Sequence, residues 1–134
     1  MTGYSVDIEA ATLENSHFRQ VLYTAPHSQL VVMTIEPGGE IGLERHGDRD
    51  QFIRVEAGEG EAVLDGERHA IGDGNAVVIP AGTLHNVVNT SATERLRLYT
   101  IYSPPEHPDG TIHRTKADAD AAEGARRRGR GSTP

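Results

Sequence analysis

Four side chains able to donate to a metal ion fall within two short runs of this sequence. Gly38, Glu44, His46, Gln51 and Gly58 are spaced G-x5-E-x-H-x4-Q-x6-G, and Gly74, Pro80, Gly82, His85 and Asn89 are spaced G-x5-P-x-G-x2-H-x3-N. Glu44 and His46 stand at i and i+2, so an extended chain carries both on one face. The second run reads as a strand, a Pro-Gly turn and another strand that opens on His85. Either run alone is a weak signal. Together, in this order and at this separation, they read as the halves of one metal site.

Asp50 and Gln51 compete for the last position of the first run. Gln51 shares a face with Ile53 and Val55, whereas Asp50 shares one with Phe52, Arg54 and Glu56. The apolar face is the inward one, so Gln51 is expected to point into the fold. It also stands the required distance before Gly58.

The elements that must position these groups are short strands broken by turns. Extended runs are expected over Phe18–Thr24, Gln29–Glu36, Gln51–Glu56, Glu61–Leu64, Arg68–Ile71, Ala76–Ile79, His85–Asn89 and Leu96–Tyr102. Pro37-Gly38-Gly39 ends the second, and Asp65-Gly66 is a two-residue turn of the kind that closes a tight hairpin. Many short strands without a sustained helical period predict an all-β antiparallel barrel or jelly roll. Aromatic residues are only 4% of the chain, so its core must be mostly aliphatic. We divide the chain into a lead-in (1–16), a barrel (17–103), a C-terminal segment packing on the barrel (104–123) and a disordered, arginine-rich tail (124–134). Lys116–Glu123 is the one stretch expected to form a short helix.

Composition narrows the chemistry. A chain of 134 residues supports one core, and its net charge of −7 disfavours nucleic acid or an anionic membrane as a partner of the barrel. The absence of cysteine excludes disulfides, thiolate metal sites and cysteine nucleophiles. No secretion signal or long apolar window is evident, so a soluble cytoplasmic protein is expected.

The two runs resemble the paired motifs of the cupin superfamily, commonly written G-x5-H-x-H-x3,4-E-x6-G and G-x5-P-x-G-x2-H-x3-N. The second is matched at every fixed position and the first in spacing, with Glu44 for the first histidine and Gln51 for the glutamate. The resemblance covers roughly Phe18 to Tyr102 and implies a cupin jelly-roll (double-stranded β-helix) barrel with a short C-terminal extension. Within the superfamily the chain looks like the small bacterial group bearing E-x-H-x4-Q-F, often labelled mannose-6-phosphate-isomerase-like. The ligand set so implied is Glu44, His46, Gln51 and His85, for a divalent ion such as Mn, Fe, Ni or Zn. Two imidazoles, one carboxylate and one amide oxygen bring the same single negative charge as the usual three imidazoles and a carboxylate. The amide is the weaker donor, so affinity should fall. The alternative is a metal-free barrel whose polar groups bond to one another and to water.

The expected function is a metal-dependent enzyme, of isomerase, dioxygenase or lyase type, acting on a small oxygenated molecule. The alternative is a non-catalytic binding or sensing module. Glu44 is either a ligand or a general base, and Tyr102 could bring a hydroxyl into the cavity. His17, His27 and His69 read as surface residues. His107 and His113 fall in a segment that either lids the barrel or packs along its outside, and packing is favoured. The β-rich runs between Phe18 and Glu36 show no cover of their own, which predicts a homodimer.

Overall fold

Turn residues divide the chain into short extended runs, and each run becomes a strand. The computed structural model describes residues 2–131, with side chains through Ala125. A helix, α1 (Ile8–Glu14), precedes β1 (Arg19–Thr24), β2 (Gln29–Ile35), β3 (Asp50–Ala57), β4 (Glu59–Leu64) and β5 (Glu67–Gly72). Then come β6 (Ala76–Ile79), β7 (His85–Asn89), β8 (Leu96–Ser103), the two-residue β9 (Ile112–His113) and a second helix, α2 (Lys116–Gly131).

The strands form two antiparallel sheets, one ordered β6-β3-β8-β2-β1-β9 and the other β5-β4-β7. Their inner faces close on each other as a jelly roll. Val31, Met33, Ile53, Val55 and Leu98 come from the large sheet and Ala62, Ile71 and Val87 from the small one, all in a single buried cluster. Phe18 and Tyr102 are the aromatic members of that cluster, so the core is aliphatic as the composition requires. Asp65 and Gly66 both take left-handed backbone angles between the paired residues Leu64 and Glu67, as a two-residue hairpin demands. Gly58 has φ +89, and a side chain there would run into the backbone of Arg95 and Leu96. That explains the glycine closing the first motif.

Several expectations need correction. The lead-in holds α1, started by Asp7, whose carboxylate accepts from Ala10 N at 3.1 Å. Arg97 pins the end of that helix by donating to the carbonyls of Leu13 and Asn15 at 3.0 and 2.5 Å. Glu56, expected on the outer face with Arg54, is buried there and pairs with Arg54 at 3.4 Å, next to a bulge between Val55 and Ala57. The helix expected over Lys116–Glu123 continues to Gly131, through residues placed in the disordered tail. Arginine, a good helix former, supplies four of the eight residues of that continuation, against three glycines that disfavour it. Residues 132–134 of the tail lie outside the described residues. The open edges that argued for a homodimer are covered within the chain. β2 lies between β1 and β8, and β9 pairs with β1 through Arg19–His113 and Gln20–Ile112. Among the described residues, no helix is long and apolar enough to cross a membrane.

Candidate metal centre

The connection between β2 and β3 is long, yet its second half runs as an extra strand along β7. Ile41 N donates to Val87 O at 2.9 Å, and Glu44 and His85 exchange both main-chain hydrogen bonds at 2.8 Å. Gly82 N then donates to His46 O at 2.8 Å. Glu44 and His85 are thus directly opposed residues of an antiparallel pair, which puts their side chains on one face. His46, two residues on, shares it.

Donor atoms of Glu44, His46 and His85 all lie within 4.8 Å of one another, a group that could hold a metal ion. His46 Nε2 is 3.8 Å from Glu44 Oε2, and the two imidazole centroids are 5.3 Å apart. Each ring is tied by its other nitrogen. His85 Nδ1 meets the carbonyl of Thr83 at 2.9 Å, and His46 Nδ1 meets Glu106 Oε2 at 2.8 Å. A carbonyl and a carboxylate can only accept, so Nδ1 carries the proton in both rings. In the neutral form Nε2 then holds a lone pair. Both Nε2 atoms are buried without a hydrogen-bond partner.

Gln51 reaches the inner face from β3, paired across to Ile79 and Tyr102. It is 4% exposed, and its Nε2 donates to Thr100 Oγ1 at 3.0 Å. Its Oε1 is a third buried acceptor without a partner. Asp50 is exposed and instead accepts from Ala81 N at 2.9 Å. Three bare acceptors in one small fold would each cost about 1–3 kcal/mol if nothing bonded them. Two imidazole lone pairs, an amide oxygen and a carboxylate suit a divalent cation.

Glu106 and Arg49 complete the site and were not singled out from the sequence. Gln29, 1% exposed, works as a main-chain surrogate for the segment after β8. Its Nε2 donates to His107 O at 2.7 Å, and its Oε1 accepts from Glu106 N and His107 N at 3.2 and 3.0 Å. This grip sets Glu106 against His46 and against Arg49 Nη1 at 2.9 Å. Burial alone would raise the Glu106 pKa, but the hydrogen bonds and charges of His46 and Arg49 outweigh it and hold it at about 2. The same hydrogen bond raises His46 above the ordinary imidazole value, against the opposing effect of burial. Nothing local in the sequence marks a glutamate in a turn as the partner of a histidine sixty positions earlier.

Tyr102 is 1% exposed, with its ring edge-on to His46 at 6.0 Å and to His107 at 5.2 Å. Burial pushes its hydroxyl well above the usual tyrosine range, and the neighbouring Arg19 guanidinium opposes that rise. A cleft of about 720 Å³ opens beside His46, lined among others by Arg19, Glu44, Arg49, Glu106 and His107. The post-barrel segment therefore walls the cleft rather than only packing along the outside. His113 pairs with Arg19 on β1, at 3.2 Å from its Nη1. His27 and His69 are exposed, and His17 is half-buried against Gln20.

Comparison with known proteins agrees with this architecture. The chain is 46% identical over 126 residues to the uncharacterized protein YrkC of Bacillus subtilis, covering 90% of this chain and 67% of that one. The crystal structure of BH2720 from Bacillus halodurans superposes with a TM-score of 0.86 at 45% identity, covering 88% of this chain and 93% of that one. KdgF from Halomonas sp. superposes with a TM-score of 0.61 at 25% identity, over 66% of this chain and 78% of that one. Residues 31–102, from the middle of the large sheet to the tyrosine beside His46, match the family described as "Cupin domain". With its paired motifs drawn together by the Glu44–His85 bridge, the chain belongs to the cupin family.

Proposed function

We propose that Glu44, His46, Gln51 and His85 hold a divalent metal ion, and that the protein is a metal-dependent enzyme acting on a small oxygenated molecule. The observation that carries this reading is the set of three buried acceptors without partners, His46 Nε2, His85 Nε2 and Gln51 Oε1. A protein gains no stability from leaving such atoms bare. Bound there, the ion would polarise a carbonyl, enol or hydroxyl oxygen of the substrate. The chain's own residues do the rest. Glu106 and the Thr83 carbonyl fix both imidazole tautomers, Tyr102 offers a hydroxyl that stays protonated, and Glu44, half-exposed toward the cleft, is a ligand or a general base. Within the family we place the chain in the mannose-6-phosphate-isomerase-like group with the E-x-H-x4-Q motif, on the strength of Glu44, His46 and Gln51.

One observation favours the alternative, a non-catalytic binding module. Glu106, the other acid beside His46, is already committed to Arg49 and His46 and has no free basicity to contribute. Elemental analysis of the purified protein, followed by a turnover screen of metal-reconstituted samples on enolisable carbonyls, sugar phosphates and diketones, separates the readings. About one ion per chain with turnover lost in His85→Ala is the expected result. A stoichiometric ion with no turnover across the screen leaves the binding module, and full metal retention in His85→Ala overturns the site.

A further inference from the structure

Four cations line the cleft: Arg19, Arg45, Arg49 and Lys116. Arg49 is neutralised by Glu106 and Asp48, and Lys116 by Asp120 at 2.6 Å. Arg45 is exposed at the rim. Arg19 differs from all three. It is 7% exposed, and among the described residues no carboxylate comes within ion-pair distance of it. Its contacts are an imidazole, a phenyl ring and a phenol, and the carboxylates of Glu44 and Glu106 in the same cleft stay beyond ion-pair distance. Nη1 meets His113 Nδ1 at 3.2 Å, the guanidinium stands 5.2 Å over the Phe18 ring, and the Tyr102 hydroxyl lies beside it. Its Nε is buried and has no hydrogen-bond partner.

A buried guanidinium without a counter-charge is costly, and more conspicuous in a protein whose net charge is −7. Arginine is also the side chain whose planar fork matches a carboxylate or phosphoryl group. From this geometry we infer that Arg19 receives an oxyanion group of the ligand, so the substrate is a small organic anion, a carboxylate or a phosphoryl compound. The inference rests on reading the cleft as a substrate site. It adds a second point of attachment beside the Tyr102 hydroxyl, whose ring stands 6.0 Å from that of His46. A molecule held at both points presents one oxygen to the metal ligands and its anionic end to β1. Arg19 is then a binding and specificity residue, since a neutral analogue leaves the guanidinium unpaired.

Calorimetric titration of the metal-free and metal-loaded protein with glycolate, inorganic phosphate and the neutral glycolamide tests this. Glycolate or phosphate should bind, and the tighter of the two identifies the oxyanion. Arg19→Gln should weaken that binding about tenfold or more and leave any glycolamide binding unchanged. Arg19→Lys keeps the charge without the fork and should fall between the two. If Arg19→Gln does not fold by circular dichroism, Arg19→Lys decides: a severalfold loss supports the assignment and unchanged affinity overturns it. Equal anion binding by wild type and a folded Arg19→Gln, or no anion binding by wild type, also overturns it. Metal content measured on the same samples keeps the two readings apart. A chain that takes up no metal but binds anion through Arg19 removes the metal reading and retains this one.

Discussion

His85 and His46 present the same bare Nε2 to the same space, but they are held from different parts of the chain. His85 is oriented by the carbonyl of Thr83, two residues away in its own turn. His46 is oriented by a carboxylate on the segment beyond the barrel, itself gripped by Gln29 and charged against Arg49. The first support comes with the Pro-Gly turn of the motif and cannot be removed without rebuilding that turn. The second is a side chain that can be exchanged. One half of the centre is thus built into the motif, and the other depends on long-range packing.

That contrast can be broken at several levels. His46→Ala and His85→Ala should each abolish metal uptake, read as ions per chain by elemental analysis. Equal loss from both would show that the two halves contribute alike to the ion despite their different supports. Glu106→Gln should come next, weakening metal affinity by roughly 10–100-fold, the usual cost of removing a carboxylate behind a ligating histidine. In the same variant, measured without metal, the His46 ring should titrate at lower pH by NMR, because its largest pKa-raising partner has lost its charge. An unmoved titration would mean that Glu106 does not orient this ring. Gln51→Ala should weaken binding less than either histidine change, an amide being the poorest donor of the four. Asp50→Ala should leave metal content unchanged and cost about 1 kcal/mol of stability in urea unfolding, through loss of its bond to Ala81 N. Smallest of all, deleting residues 124–134 should move Tm by about a degree or two, because so polar a stretch buries little apolar surface.

The barrel is largely legible in the sequence because its strands alternate and its turns are chemically marked. Asp65-Gly66 could hardly be anything but a two-residue hairpin turn, and alternation alone separates inward Gln51 from outward Asp50. Alternation does not announce the burial of Glu56, nor the bulge beside it. α1 is missed for a different reason. Its seven residues make barely two turns, and it is held by Arg97 and Asn15 rather than by a strong period of its own. Of the candidate site, the fixed positions of the two motifs can be read from spacing, whereas Glu106, Arg49 and Arg19 cannot. Their surroundings exist only after Gln29 and β9 have brought distant segments to the cleft. The edges expected to be open between Phe18 and Glu36 show the converse, since runs that look uncovered in sequence are covered by strands from elsewhere in the chain.

The mutual main-chain bonds between Glu44 and His85 also bear on the order in which the protein is made. As the chain leaves the ribosome, Glu44 and His46 emerge first, and they are held together by nothing but adjacency. His85 follows some forty residues later and Glu106 a further twenty, and only then can the four groups meet. A nascent chain therefore offers a passing cation just two weak local donors until most of the barrel has been synthesised. Capture of an ion at the proposed centre would then be a late event that marks a finished barrel, and it would draw the folding equilibrium toward completion by mass action.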